Sequence, residues 1–534
     1  MLVTGKDTET VLRRWIDAPP KWLSAEIDPD GRGGTPAVLV LAAAGGQAQV
    51  FDLASLAPGF FNLFSQLACP VAAFEAKEVA RGLLRRGVSL PNRFACLRII
   101  QQLLDGGRRS GEARSLDGLA NRHLGRSSPD PRSGLDELAA VPGTVSEILE
   151  RQIGAIRADA LVWVSRIESS ALPAIAEMEH HGVPIDAPRW RALLEEGREE
   201  RAGLGQELVR LLGSGGDLFG AAKSLESDPG LRSALQAAGI QVPNLKRDTL
   251  AALPAPLGPK LGRFRELAKL TQAYGTTFLE NIDSDGRIHA TFEQIGASTG
   301  RMACHSPNLQ SVVKDSPYRG CFRATDRRAL ITADYAGCEL RIIAELSADP
   351  VFRRTFAEGG DLHSSVASTV FGRPVSKTEN PELRHRAKAI NFGLAYGMGA
   401  GGLARATGMS LEESRGFLER YFKAFPRIRE FLEYTAAEAI ERGYAQTMTG
   451  RRMYVEHDGT KDGRARAERV AKNMPIQGTN ADVVKIALSR LRQTFATSTA
   501  FVVNTVHDEI VVECDRDNAE ETAVVVRREM EAAG

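Results

Sequence analysis

The strongest constraint on the fold lies near the end of the sequence, where two apolar runs flank a short polar segment. Phe501–Val506 and Ile510–Glu513 are rich in β-branched residues, which favours two strands. The residues between them are His507, Asp508 and Glu509. This pattern predicts a β-hairpin whose tip presents Asp508 and Glu509. A solvated turn would also contain such carboxylates, but folding alone gives no reason to interrupt an apolar hairpin in this way.

A second carboxylate stands at the end of another apolar run. Leu330–Ala333 has the composition of a strand, Asp334 follows it, and a helical pattern begins after Tyr335. A carboxylate at the end of a strand is held rigidly and can reach solvent, which suits a metal ligand. Because short motifs occur by chance, either acidic motif alone could equally be a turn with solvated carboxylates.

One predicted helix carries a stripe of two cations and two aromatic residues. The stripe recurs at every fourth position and consists of Arg384, Lys388, Phe392 and Tyr396, after which glycines end the helix. Such a face suits a nucleoside triphosphate, because cations can bind its phosphates while aromatic rings contact its sugar and base. An amphipathic helix with a solvated basic end would not explain why the aromatic residues continue the cationic stripe.

Charge is balanced over the whole chain but uneven locally. The 534 residues carry a formal net charge of +1, so bulk charge does not indicate a nucleic-acid partner. Residues 301–328 contain six basic and two acidic side chains, and residues 451–472 contain seven basic and four acidic ones. Two such segments could line a track of phosphates, although either one alone is more often a solvated face.

Length and composition indicate a globular protein of several domains, with 43% hydrophobic and 25% charged residues. The longest apolar run, Ala37–Ala44, is too short to span a bilayer, and the first residues lack a secretory pattern. Six cysteines without paired spacing argue against a zinc site or a disulfide framework. We therefore expect a protein of the reducing cytoplasm.

Considered together, the three motifs resemble motifs A, B and C of the family A DNA polymerases. Motif A lies at Asp334, motif B at Arg384–Tyr396 and motif C at His507–Glu509. Further segments match the family in the same order, and they are Leu172–Asp186, Ser298–Gln310, Asp361–His363, Tyr444–Tyr454 and Glu468–Gln477. The resemblance covers roughly residues 165–512. It implies a protein of a bacterium, or one encoded by a phage and acting in the bacterial cytoplasm.

The resemblance implies an α/β and α+β multidomain fold, in which a ribonuclease H-like exonuclease-type domain precedes a right-hand polymerase domain. It places these domains at residues 1–165 and 166–534, with the thumb at about 187–285, the fingers at about 346–440 and the palm in the remainder. No 5′-nuclease domain is expected. A final helix, predicted at Asp517–Gly534 with Asp517 and Glu520 as a capping box, ends the chain where the family adds another strand.

The implied activity is template-directed addition of dNTPs to a primer 3′-hydroxyl by two-metal phosphoryl transfer, with release of pyrophosphate. The implied cofactor is Mg²⁺, for which Mn²⁺ can substitute, and the implied partners of a monomeric enzyme are primer–template DNA and dNTPs. Asp334, Asp508 and the backbone carbonyl of Tyr335 are expected to hold two ions. Lys388 is expected to protonate the leaving pyrophosphate.

The family motifs also assign binding roles. The expected nucleotide-binding residues are His363, Arg384, Lys388, Phe392, Tyr396 and Glu339, the last as a gate against the ribose 2′-hydroxyl. The expected DNA-binding residues are Arg301, Asn308, Gln310, Arg451, Arg469, Asn473, Gln477, His507 and Glu509. Their contacts would report base-pair geometry rather than sequence, because minor-groove acceptors are alike in all correct pairs.

Residues 1–165 resemble the family's 3′–5′ exonuclease domain in layout, but not in its four metal-binding carboxylates. Glu26 and Asp28 stand in the D-x-E place with the two acids exchanged, and Val79 stands in place of the second-motif aspartate. In the third motif Ala155 replaces a tyrosine, while Asp159 is retained. We therefore predict a folded domain with a vestigial site and no proofreading.

Three alternatives stay open at this stage. A single-subunit RNA polymerase shares the two-aspartate palm, although Glu339 and Phe392 argue against it. A catalytically dead DNA-binding or scaffolding remnant would explain the degraded exonuclease motifs, although the intact polymerase motifs argue against that. Within the exonuclease-like domain, a substitute metal ligand could come from one of three acids, namely Asp28, Glu75 or Glu78.

Overall fold

The computed structural model describes residues 2–28, 37–108, 114–213, 222–314, 316–395 and 398–534. These residues form two compact units. The first comprises Met1–His181, Phe292–Cys304 and Leu330–Gly534, and the second comprises Gly182–Thr291 and His305–Ala329. Every helix within the described residues is too short or too polar to cross a bilayer.

The first unit begins with a six-stranded mixed sheet. Its strands are β1 (Leu2–Gly5), β2 (Leu23–Asp28), β3 (Val38–Ala43), β4 (Gln49–Leu56), β5 (Val71–Ala73) and β6 (Phe94–Cys96). The order is β1-β4-β3-β2-β5-β6, and β3 runs antiparallel to β2 and β4 while the other pairings are parallel. The apolar run Ala37–Ala44 of the sequence supplies β3.

Helices cover this sheet and bury its apolar residues. They are α1 (Lys6–Asp17), α2 (Phe60–Leu63), α3 (Ala76–Leu84), α4 (Leu97–Asp105), α5 (Leu116–Leu124), α6 (Leu135–Ala158) and α7 (Val162–His181). α3 lies directly on β2, because a Cβ at Gly82 would lie 2.5 Å from Cδ1 of Ile27. Val79, one turn earlier on α3, is 2% exposed and belongs to the same apolar core.

A second, three-stranded sheet lies in the later part of the first unit. It has the order β11-β15-β14, with β11 at Arg328–Asp334, β14 at Phe501–Val506 and β15 at Glu509–Asp515. β14 and β15 are antiparallel and leave only His507 and Asp508 between them, which confirms the predicted hairpin. His507 adopts a positive φ of 59°, as tight hairpin turns require. Glu509, however, begins β15 and is buried, so the tip presents Asp508 alone.

Nine further helices and two small sheets complete the described part of the first unit. The helices are α13 (Cys338–Ser347), α14 (Pro350–Ala357), α15 (Leu362–Phe371), α16 (Pro381–Ala395), α17 (Ala400–Thr407), α18 (Leu411–Ala424), α19 (Pro426–Arg442), α20 (Lys461–Thr494) and α21 (Ala519–Glu531). The small sheets pair β9 (Thr291–Glu293) with β10 (Ala303–His305) and β12 (Tyr444–Gln446) with β13 (Arg452–Tyr454). The helix predicted for the cation–aromatic stripe is confirmed as α16. α21 begins one residue after Asn518, without a side-chain cap bond, so the predicted capping box is wrong.

The second unit is mainly helical. Its elements are α8 (Ala187–Leu211), α9 (Asp228–Ala237), α10 (Arg247–Ala251), α11 (Leu257–Ala273), α12 (Thr276–Leu279) and the strand pair β7 (Val183–Pro184) and β8 (Arg287–Ile288). Trp190 on α8 is fully buried and stacks on Phe278, with ring centroids 4.4 Å apart. Its indole Nε1 donates a hydrogen bond to the carbonyl of Tyr274 at 2.9 Å.

Because Trp190 fills the aromatic core of the second unit, we expect Trp190→Ala to lower the free energy of unfolding by roughly 3–5 kcal/mol. Chemical denaturation followed by circular dichroism measures this change. Trp163→Ala is the matched control, because Trp163 is 55% exposed and should change stability by less than about 0.5 kcal/mol. Equal losses in the two variants would contradict the burial of Trp190.

Candidate active site

The two predicted metal-binding aspartates come together in the three-stranded sheet. Asp334 is the last residue of β11 and is exposed, while Asp508 lies in the β14–β15 turn. The backbone N–H of Tyr335 donates to the carbonyl of Asp508 at 3.4 Å, which joins the two segments. Partial burial, reinforced by the nearby charge of Asp334, raises the pKa of Asp508. The site therefore holds two mutually repelling carboxylates.

Two carboxylates are the usual protein ligands of Mg²⁺ where the ion also binds a phosphorylated substrate. Mg²⁺ keeps several waters and needs only one or two protein carboxylates together with substrate phosphates. Within the described residues there is no group of three or more His, Cys, Asp or Glu side chains that could hold a metal by themselves. The two aspartates therefore suit a metal site in which substrate and water supply the remaining ligands, and not one in which the protein supplies them all.

The predicted sugar gate lies next to this pair, at the start of α13. Glu339 is 8% exposed and forms an ion pair with Arg301, a predicted DNA-binding residue. Burial raises the pKa of Glu339, although the charge of Arg301 opposes the shift. Arg301 thus stabilises the charged form of a carboxylate that would otherwise favour protonation.

The predicted triphosphate-binding residues meet where α15 and α16 pack. Arg384 Nε donates to Asp361 Oδ2 at 2.6 Å. Burial disfavours the Asp361 carboxylate, but hydrogen bonds from Arg384 and Ser364 outweigh this effect and lower its pKa to about 2. Lys388 lies one turn after Arg384 on α16. The Phe392 side chain and all of Tyr396 lie outside the described residues, so their predicted roles stay predictions.

The orientation of His363 depends on a residue that sequence reasoning missed. The fully buried Asn391 side chain joins His363 Nδ1 at 3.1 Å and accepts a hydrogen bond from the Tyr421 hydroxyl at 3.2 Å. Burial lowers the pKa of His363, so the ring is neutral at pH 7. Asn391 stands within motif B, but only its complete burial distinguishes it from a solvated polar residue.

The predicted DNA-binding residues are found in several settings. Arg469 is exposed on α20, Asn473 is half-buried and Gln477 is 6% exposed on the same helix. Asn308 and Gln310 belong to the second unit, where Asn308 Oδ1 accepts from the Gln310 N–H at 3.0 Å.

The prediction for Arg451 is wrong. Its side chain is 2% exposed and its guanidinium forms ion pairs with Glu168 and Asp482. Burial opposes the charge, but these carboxylates outweigh it and raise the pKa of Arg451. A guanidinium buried in this way is not accessible to a DNA phosphate. Local sequence could not reveal this, because both carboxylates are distant in the chain.

The residues predicted to form a vestigial exonuclease site are not part of any cluster of three acids within the described residues. Glu26 and Asp28 lie on β2, and Asp28 is 8% exposed. Asp159 instead caps the end of α6 and pairs with Arg452 at 3.3 Å. Val79, at the position predicted for a further carboxylate, is apolar and buried.

Comparisons with known proteins agree with the resemblance seen in the sequence. The model of DNA polymerase family A matches residues 224–534. Thermostable DNA polymerase I of Thermus filiformis is 34% identical over 86% of this chain and 55% of its own length. That of Thermus aquaticus is 37% identical over 70% of this chain and 46% of its own length. DNA polymerase I of Mycobacterium tuberculosis is 31% identical over 94% of this chain and 59% of its own length.

Among solved structures, the polymerase domain of Pol1 from M. smegmatis, in complex with DNA primer–template and dNTP, superposes with a TM-score of 0.84. It is 29% identical, and the match covers 99% of this chain and 95% of that one. The chain spans about half the length of the curated relatives that it matches. It belongs to DNA polymerase family A.

Since burial and Asp334 disfavour the Asp508 carboxylate, we expect Asp508→Asn to raise Tm by about 1–3 °C at pH 7 without metal. The gain should vanish as the pH falls through the Asp508 pKa, because the wild-type carboxyl then becomes neutral as well. Thermal melts across pH, with the exposed Asp517→Asn as control, measure this.

Mg²⁺ should raise the Tm of the wild type and should have much less effect on Asp508→Asn, because the variant has lost half of the carboxylate charge. Lower stability of Asp508→Asn at pH 7, or an equal response to Mg²⁺, would argue against repulsion at this site.

Proposed function

We propose that this protein is a template-directed DNA polymerase that adds dNTPs to a primer 3′-hydroxyl and releases pyrophosphate. The observation that carries the proposal is the meeting of Asp334 with Asp508 at the end of β11 and the β14–β15 turn. Family membership and the match to a polymerase domain bound to primer–template and dNTP support it. Phosphoryl transfer needs positioned positive charge more than covalent chemistry, which suits a site built from acids and cations.

In this proposal Asp334, Asp508 and the backbone carbonyl of Tyr335 hold two divalent ions. Magnesium ions bound there would lower the pKa of the primer hydroxyl and neutralise charge on the leaving pyrophosphate. Arg384 and Lys388 bind the β- and γ-phosphates, and Lys388 donates a proton to the pyrophosphate. In the free chain Arg384 is paired with Asp361, so a phosphate would replace one anionic partner with another.

His363 has a different part in binding the triphosphate. Because its lowered pKa leaves the ring neutral, it would act as a hydrogen-bond donor and not as a cation. Asn391 holds the other side of the ring and so favours one orientation. Phe392 and Tyr396 would contact the sugar and the templating position. Arg301, Asn308, Gln310, Arg469, Asn473, Gln477, His507 and Glu509 remain the proposed DNA contacts.

The proposed domains follow the division expected from the sequence, an exonuclease-like domain at 1–165 and a polymerase domain at 166–534. The mixed sheet β1–β6 with its covering helices supports the first. The second compact unit contains the segment proposed as the thumb, about 187–285. The fingers would occupy about 346–440 and the palm the remainder, and the enzyme would act as a monomer.

An RNA polymerase is the second candidate, and the buried Glu339 carboxylate with its ion pair to Arg301 argues against it. A carboxylate held at the sugar position by Arg301 would exclude a 2′-hydroxyl by its bulk. Side-by-side incorporation of dNTPs and rNTPs on the same primer–template distinguishes the two enzymes.

Removing either palm aspartate should abolish primer extension. Asp334→Ala and Asp508→Ala each delete a charge required for metal binding, so kcat should fall by about three orders of magnitude or more while DNA binding persists. Primer extension with Mg²⁺ measures activity, and fluorescence anisotropy with labelled duplex measures binding. Asp517→Ala serves as the surface control. Extension near the wild-type rate in either palm variant would remove the two-metal assignment.

The exonuclease-like domain should not proofread. Val79 is packed in the core where a carboxylate is needed, and Asp159 is paired with Arg452 at the end of α6. An end-labelled, mismatched primer incubated with Mg²⁺ or Mn²⁺ and no dNTP should therefore stay intact. Stepwise 3′ shortening that disappears in Asp28→Ala or Asp159→Ala, but persists in Asp508→Ala, would show that substitute ligands rescue the nuclease.

A further inference from the structure

The first unit contains a buried cluster of four charged side chains outside the proposed catalytic residues. Glu168 on α7, Arg451 before β13, and Asp482 and Lys485 on α20 are each no more than 2% exposed. Glu168 pairs with Arg451 and with Lys485, whose Nζ lies 2.6 Å from Oε1. Asp482 pairs with Arg451. The two acids balance the two bases, so the cluster, which we call the buried ion cluster, is neutral.

Stability alone gives a weak reason for such a cluster. Burying charged groups costs free energy, and well-packed apolar side chains often stabilise a core equally well. Burial lowers the pKa of Lys485 to about 8 even though Glu168 opposes the shift. A cluster that is costly in this way can be retained because it fixes the position of something else.

The buried ion cluster fixes one turn, the residues 296–301. Lys485 Nζ donates to the carbonyl of Gly300 at 2.8 Å. Arg451 packs against Gly300 so closely that a Cβ there would lie 2.6 Å from Nε, and the positive φ of 89° also favours glycine. The turn is closed by bonds from the Gly296 and Ala297 N–H groups to the Arg301 carbonyl at 3.0 and 3.1 Å.

A second contact holds the strand that leads into this turn. Gln294 Nε2 donates to the backbone carbonyl of Glu168 at 2.8 Å and also bonds its carboxylate. Gly478 on α20 also packs against the turn, because a Cβ built at Gly478 would lie only 3.1 Å from the carbonyl oxygen of Thr299. Three separate parts of the chain therefore converge on the turn, and its last residue, Arg301, pairs with Glu339.

We propose that Lys485 and Arg451 are positioning residues that set the Gly300–Arg301 turn, and through it the Arg301–Glu339 pair that discriminates deoxyribose from ribose. The proposal rests on the proposed polymerase function and deepens it. An unbroken series of contacts connects Lys485 Nζ, the Gly300 carbonyl, Arg301 and Glu339. Loss of the first contact frees the turn and leaves the gate carboxylate poorly oriented.

The test measures kcat and KM for a dNTP and the matching rNTP in single-nucleotide extension. Lys485→Met keeps the length of the side chain but removes the charge and the donor to Gly300. Glu168→Gln/Lys485→Met removes one charge of each sign and leaves Arg451 paired with Asp482, so it avoids an uncompensated buried charge. Thermal melts of each variant report stability separately.

Arg492→Met is the matched control. Arg492 lies on the same helix, is largely buried and pairs with Glu177 at 2.8 Å, but its hydrogen bonds go to Asn92 and to the carbonyl of Leu90. It should lower Tm without changing sugar selectivity. Arg301→Ala is the comparator, because it removes the residue through which Lys485 is proposed to act.

In both cluster variants we expect the dNTP:rNTP ratio of kcat/KM to fall roughly three- to tenfold, with KM for the dNTP rising more than kcat falls. Adding Lys485→Met to Arg301→Ala should not lower the ratio further, since the two changes act along one series of contacts. An unchanged ratio alongside a lowered Tm, or additive effects with Arg301→Ala, would overturn the inference. Failure of the wild type to extend any primer would instead overturn the proposed function, and the inference with it.

Discussion

The meeting of Asp334 and Asp508 in one sheet is the constraint on which the candidate active site depends. Asp508 is partly buried and lies near the exposed Asp334, and its pKa is raised by its burial and by the charge of Asp334. Two like charges stay together only where rigid elements hold them. A sheet in which β11 lies beside the β14–β15 hairpin supplies the rigidity. Protonation of Asp508 relieves the repulsion at low pH, and a bound divalent cation would relieve it at neutral pH.

Local patterns were sufficient to predict the elements that carry the candidate site. The β14–β15 hairpin follows from alternation and a polar interruption, and α16 follows from a four-residue period ended by glycines. These signals are short-range, and each is satisfied within about fifteen residues of chain. The misplacement of Glu509 at the tip shows the limit of this reasoning, because a shift of one residue exchanges an exposed position for a buried one.

The buried ion cluster could not be predicted, for a reason that also explains the error at Arg451. Its contact between Lys485 and Glu168 joins residues 317 positions apart, and that between Arg451 and Glu168 joins residues 283 apart. In sequence, an arginine that binds phosphate and an arginine that neutralises a buried carboxylate look the same. Only tertiary structure separates them, through exposure and the identity of the acid.

The residues of the candidate site differ in charge between its two parts. On the α15–α16 side, Arg384 already has an anionic partner in Asp361, and His363 is neutral and oriented by Asn391. On the sheet side, Asp334 and Asp508 repel each other. In the proposed function, the phosphates of a magnesium-bound triphosphate would replace Asp361 as the partner of Arg384, and its metal would neutralise the two acids. A free metal ion or a metal-free nucleotide would then satisfy only one of the two sides, so the proposed function favours the complex of metal and nucleotide.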